Sequence, residues 1–151
     1  MGAHRRAGRG GRHPVSSQRP LPVPDEVSTP YWDAAARHVL TVARCSPCGA
    51  LALPPDVLCT ACGSTDPRYV FTPVSGHGVV RSWTVVRKSF LPGFDVPFVL
   101  VDVELEEQPD LRLIGRLLGA DEAALSIGTP VTAVFEDVSA EIAVPAFKLA
   151  S

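Results

Sequence analysis

The chain's four cysteines fall in two C-x2-C pairs, Cys45-Ser46-Pro47-Cys48 and Cys59-Thr60-Ala61-Cys62, with ten residues between the pairs. Two such knuckles bring four thiolates to the corners of a tetrahedron, the geometry Zn²⁺ prefers with sulfur. A glycine follows each pair (Gly49 and Gly63), freeing the backbone to turn so that amides point back at the sulfurs. Between the pairs, Leu51-Ala52-Leu53-Pro54-Pro55 reads as a short strand and a stiff return, as a zinc ribbon requires. Two rival readings of the cysteines fit less well. Paired disulfides suit a secreted framework, and a redox C-x2-C comes singly beside a βαβ pattern that is absent here. The spacing favours structural zinc on Cys45, Cys48, Cys59 and Cys62. Four protein ligands leave no open coordination position, so the metal is expected to fold the chain rather than catalyse.

Length and charge narrow the rest. At 151 residues there is room for one ordinary domain beside a small metal-stabilised one. No run approaches the ~18–20 apolar residues of a membrane span. The arginine-bearing start lacks the apolar core of a secretory signal. These features, with thiols kept for metal, predict a cytoplasmic protein. Five arginines lie in the first twenty residues, which hold no acid, leaving nine basic against sixteen acidic side chains in the remainder. A domain gripping a phosphate backbone is normally basic, so nucleic acid is disfavoured as the main ligand.

Along the chain, residues 1–28 are rich in Gly, Arg, Pro and Ser and read as a disordered tail and linker. Residues 29–67 are expected to form a helix plus the zinc ribbon, and 68–151 an OB-fold. Ser28-Thr29-Pro30 offers a hydroxyl cap and a first-turn proline for a helix over Pro30–Arg37 that displays Tyr31 and Trp32. Those two rings either pack on the chain's own second domain or dock a partner. Val39–Arg44 is a strand leading into the first knuckle. From Tyr69 the chain turns to short strands divided by turn residues, and Arg68–Val74 alternates moderately. Five main strands then follow, over Val79–Val86, Pro97–Leu105, Leu111–Leu118, Val131–Val138 and Ile142–Leu149. A helical turn at Asp121–Leu125 precedes the fourth, the pattern of a small OB-fold barrel. The fold class is therefore mainly β: an N-terminal helix, a rubredoxin-like zinc ribbon and a five-stranded barrel.

The barrel offers little chemistry of its own. His77 sits between two glycines near Ser75, without an evident third member for a triad. Asp102, Glu104 and Glu106 alternate on one strand, a pattern usual for a solvated face. One cluster stands out. Arg87 and Lys88 precede the aromatic loop Phe90-Leu91-Pro92-Gly93-Phe94, where cations and rings would suit a phosphorylated, partly apolar ligand. The plainer reading is a solvated strand end with its rings tucked against the barrel.

The order of parts resembles a known family. Tyr31-Trp32, RCSPCG, LPP, CTACGS, SGHGVVRSWTVV, PFVLVDVEL, IGTPV and VFEDV…PAFK follow one another as in the zinc-ribbon/OB-fold family long known only as a domain of unknown function. The resemblance covers about residues 30–150 and leaves the arginine-rich head outside. It implies a non-catalytic accessory subunit of thiolase-like acyl-CoA enzymes, among them thiolase–synthase assemblies, polyketide acyltransferases and steroid side-chain aldolases and hydratases. It further implies a barrel that helps hold coenzyme A, and a helix and ribbon that dock the partner, here through Tyr31 and Trp32. Arg87, Lys88 and Phe90 are the candidate coenzyme A contacts because their loop sits where the barrel would face a ligand; they match no defined motif of the family. The four cysteines match the family's zinc ligands. A hydratase domain fused in some relatives is not in this sequence, so hydratase activity is expected on another chain. The alternative is a single-stranded nucleic-acid binder using Trp83, Phe90 and Phe94 as stacking rings. A third class, an independent enzyme, would require turnover by this chain alone.

Overall fold

The computed structural model describes residues 19–151; the first eighteen residues of the expected disordered tail lie outside them. A helix α1 (Thr29–Ala36) opens the described fold and is followed by β1 (Thr41–Arg44), β2 (Leu51–Ala52) and β3 (Val70–Pro73). Next come β4 (His77–Val86), β5 (Phe98–Leu105), β6 (Arg112–Arg116), a 3-10 turn (Glu122–Ala124), β7 (Pro130–Asp137) and β8 (Ala143–Leu149). Two antiparallel sheets result, ordered β2-β1-β3 and β6-β5-β4-β7-β8. Among the described residues no helix is long and apolar enough to cross a membrane.

Strand alternation builds the second sheet. Along β5 every second residue turns inward, so Val99, Val101, Val103 and Leu105 are buried while Phe98, Leu100, Asp102 and Glu104 face out. Val80, Val131 and Phe147 meet them from other strands, and Leu111 from just before β6. A parallel bridge from Leu117 to Phe147 draws β6 toward β8 and nearly closes a five-stranded barrel. Gly78 is required where β4 crosses β5: a β-carbon there would lie 2.7 Å from Val103 Cγ1 and closer still to the Glu104 carbonyl. A bulge at Arg81 shifts the β4–β5 register between Val80 and Ser82. On its other side β4 pairs with β7 only through His77–Val79. The extra residue lets one long strand bend across the barrel. Outside, Asp102 accepts from Arg112 Nε (2.9 Å) and Nη2 and from Ser82 Oγ (3.2 Å). The Arg112 hydrogen bonds hold its carboxyl below the ordinary value.

The first sheet has little interior of its own. Its central strand β1 buries Thr41, Val42 and Ala43, and Leu40 and Val42 belong to the barrel's apolar cluster. The Gln108 side chain closes the gap from the barrel side. Its Oε1 accepts from Leu51 N–H (2.8 Å) and its Nε2 donates to the Leu51 carbonyl (2.9 Å), taking the place of a strand neighbour for β2.

Three local expectations change. The alternating stretch 68–74, expected with the barrel strands, supplies β3, which pairs with β1 from Thr41↔Pro73 to Arg44↔Val70. Ser28 does not cap the helix with its side chain. Instead Asp25 Oδ1 accepts from both the Ser28 amide (2.7 Å) and hydroxyl (2.6 Å), and the Asp25 carbonyl accepts from Thr29 Oγ1 (2.6 Å). The Ser28 hydroxyl thus lowers the Asp25 pKa. Finally, the described part of the expected linker makes defined contacts: Arg19 binds the Gly93 carbonyl (2.9 Å) and Glu136 (3.3 Å). The helix itself lies within a residue of expectation and stops where His38 adopts φ +58°. His38 then stacks on Phe135 and pairs with Asp137 at 2.7 Å.

Candidate functional site

The two knuckles are built alike. The amides of Cys45 and Cys59 donate to the carbonyls of Ala50 and Ser64, each at 2.9 Å. The amides of Gly49 and Gly63 turn back onto Cys45 and Cys59, each at 2.7 Å. Both glycines take left-handed φ, +77° and +73°, which other residues enter only with strain. All four Sγ atoms lie within 4.8 Å of one another, with Cys45–Cys62 at 4.0 Å and Cys48–Cys59 at 3.7 Å. A Zn–S bond of ~2.3 Å arranged tetrahedrally sets sulfurs about 3.8 Å apart, so the donor set fits zinc. A disulfide needs ~2.05 Å, which neither pair approaches. Cys45 and Cys59 are buried and Cys48 and Cys62 exposed, so the metal position lies at the edge of the ribbon. Burial pushes the Cys45 thiol up to about 12, whereas the Cys62 amide draws Cys59 down to about 7. Bound zinc would deprotonate the set and lock β1 to the segment before β3; Ser46 already ties that segment through Pro67 and Arg68 carbonyls (2.9 and 2.5 Å).

The helix presents a second feature. Tyr31 and Trp32 meet edge to face with centroids 5.0 Å apart, and Tyr31 also touches Phe71 at 6.2 Å. Together with Leu53, Pro55 and Leu113 they line an apolar cavity of about 410 Å³ where helix, ribbon and β6 meet. Loss of water raises the Tyr31 phenol to about 12. The aromatic pair is therefore half-buried against its own chain and still borders a space that a partner side chain or an apolar ligand would fill.

The β4–β5 connection carries the residues singled out for coenzyme A. Arg87 pairs with Glu122 of the 3-10 turn at 3.1 Å, and Lys88 lies 5.3 Å from the Phe90 ring centroid. Phe90 is 88% exposed and Leu91 56%, an apolar loop tip of the kind that marks interaction surfaces. Of the rings considered for stacking bases, Trp83 is 37% exposed on β4, while Phe94 lies beneath Arg19 and beside Phe98. His77 Nδ1 lies 3.2 Å from Thr132 Oγ1, and Ser75 Oγ accepts the His77 amide. Serine and histidine are not arranged as nucleophile and base. Gln108 and the Arg19–Glu136–Arg116 cluster have no signature in the sequence, because side-chain pairing over long range leaves no local pattern.

Comparison with known proteins matches both halves. Residues 32–68 fit the family model of the ChsH2 rubredoxin-like zinc ribbon domain, and 71–136 that of the ChsH2 C-terminal OB-fold domain. The chain is 32% identical over 130 residues to a probable enoyl-CoA hydratase alpha subunit from Thermomonospora curvata, covering 86% of this chain and 40% of that protein. It is 39% identical over 107 residues to the 3-oxo-4,17-pregnadiene-20-carboxyl-CoA hydratase alpha subunit of Mycobacterium tuberculosis, covering 71% of this chain and 33% of that one. The chain thus spans well under half the length of these two relatives. Among solved structures, a chain of the Ltp2-ChsH2(DUF35) aldolase superposes with a TM-score of 0.76 at 30% identity, covering 87% of this chain and all of that one.

Proposed function

Because the chain belongs to the ChsH2 (DUF35) family of paired zinc-ribbon and OB-fold domains, we propose that it serves as an accessory subunit of a thiolase-like acyl-CoA enzyme, such as a thiolase, acyltransferase or steroid side-chain aldolase. The observation that carries this reading is the match in sequence and fold, over 87% of this chain and all of the other, to a chain of an aldolase named for two components. Relatives named as subunits of acyl-CoA hydratases support it. In this reading zinc on Cys45, Cys48, Cys59 and Cys62 is structural. It fixes the ribbon, the ribbon and Gln108 fix β2, and these hold Leu53 and Pro55 against α1 so that Tyr31 and Trp32 present a constant docking surface. The barrel contributes to acyl-CoA binding through Arg87, Lys88 and Phe90. Arg87 exchanges Glu122 for a phosphate, a change available to a pair this exposed at little cost.

The test is co-expression with a thiolase-like partner, followed by size exclusion and calorimetric titration with acyl-CoA. A stable complex whose acyl-CoA affinity exceeds that of either component, and falls in an Arg87→Ala/Lys88→Ala double variant, supports both parts. Separate elution at micromolar concentration, with partner activity unchanged, defeats the docking claim. An intact complex whose affinity ignores the double variant defeats only the assignment of those two cations.

A further inference from the structure

In chain order the barrel strands β4 to β8 are the five strands of an OB-fold, so the connection 87–97 is its first loop and 138–142 its last. OB-folds take extended ligands on the outer face of the second and third strands, between these two loops. Here that face presents Phe94, Leu100, Ile114, Arg116, Glu136 and Val144, and a space of about 270 Å³ remains open between them and the arm laid beside them. The chain's own Arg19, Pro20 and Pro22 also line it.

The segment Arg19-Pro20-Leu21-Pro22-Val23-Pro24 has prolines at every second position, which favour the left-handed polyproline helix. That helix repeats every three residues. The burial follows suit: Arg19 and Pro22 are half-buried, and Pro20, Leu21, Val23 and Pro24 are exposed. Arg19 Nε donates to the Gly93 carbonyl at 2.9 Å, its Nη1 lies 3.3 Å from Glu136 Oε1, and its guanidinium sits 4.8 Å from the Phe94 ring centroid. Glu136 is shared, with Arg116 Nη1 2.6 Å from the same oxygen and Arg116 packed 5.0 Å from the Phe98 ring centroid. An aromatic wall, an acid set for a leading arginine and a segment whose prolines favour the extended helix are the elements of polyproline recognition, whose advantage is a low ordering cost.

We infer that the OB-fold face of this barrel is a receptor for an arginine-led polyproline segment, filled in cis by Arg19–Pro22. Glu136 is the selecting residue, since Arg116 alone would repel a cation. Any extended ligand that approaches this face, a single strand of nucleic acid included, competes with the arm. The inference does not depend on the acyl-CoA reading, which uses other residues.

The experiment is NMR on the full chain. The Nε–Hε signals of Arg19 and Arg116 are expected outside the random-coil arginine envelope, and Glu136→Gln should move both. Arg19→Glu should move Arg116 alone, expose the Leu100 and Val144 methyls to a soluble paramagnetic probe and leave the interior barrel methyls in place. A peptide RPLPVP, added to the Arg19→Glu chain at about 1 mM, the concentration a short tether supplies, should then shift Leu100, Ile114 and Val144 saturably, and APLPVP should not. The inference is overturned by a random-coil Arg19 signal in the unaltered chain, or by equal responses to the two peptides.

Discussion

Ribbon and barrel solve the same problem of folding a short β-rich stretch by opposite means. The ribbon's three strands hold four, two and four residues, too few to bury a separate core, so its knuckles need a metal to fix them. Strand alternation in the barrel directs Val99, Val101, Val103 and Leu105 inward against Phe147, and hydrophobic burial suffices. The contrast shows where specificity resides. In the ribbon it rests on four atoms and two glycines that no neighbour can replace; in the barrel it is spread over many side chains, each contributing a fraction.

The strongest way to break the comparison is to remove the metal. Chelation, or Cys45→Ser, should abolish the NMR dispersion of residues 41–73 while β5 to β8 keep theirs, since structural zinc contributes on the order of 10 kcal/mol to such sites. A ribbon unchanged without metal would refute the division. Next in size, Phe147→Ala removes a fully buried ring and should cost about 3–5 kcal/mol in urea unfolding. Cobalt bound at the knuckles should retain its thiolate charge-transfer bands under native conditions. Loss of those bands together with the barrel would make the two regions one unit.

A smaller effect sharpens the boundary. Trp32→Ala should weaken association with a thiolase-like partner by about 2 kcal/mol, the size of an interface hot spot, while leaving zinc content at one ion per chain. Unaltered affinity would move the docking surface away from the helix. Smallest is Asp102→Asn on the barrel exterior, expected to cost about 1 kcal/mol because its arginine partner is partly solvated. The folded-state pKa of Asp102 is lowered from 3.8. Its contribution is therefore complete above that value and lost as pH falls through the lowered one. Acid titration of stability should show a shallower decline in the variant, and identical slopes would remove Asp102 from the account.

The legibility of the sequence follows the same division. Cys45, Cys48, Cys59 and Cys62 announce the ribbon by spacing, and Phe98–Leu105 announces the barrel by alternation, because both signals are local. The allegiance of β3 was not legible, since Val70–Pro73 alternates too weakly to choose between two sheets and only its pairing with β1 decides. The helix start could be read to within a residue, but its capping contact could not: Ser28 looks like a side-chain cap, yet Asp25 three residues earlier takes its hydrogens. The candidate site divides likewise. The sulfurs could be found by reading, whereas the seat of Arg19 on Glu136, 117 residues away, exists only once the barrel has closed.

Leu40 and Val42 enter the ribbon from one side and reach the barrel's apolar cluster from the other. The strand leading to the first knuckle thus supplies part of the barrel's own interior. Starved of zinc, the chain would do more than lose a finger: Leu40 and Val42 would come loose from a barrel that keeps its strands, and a shortage of metal would be felt as greasy side chains set free in water.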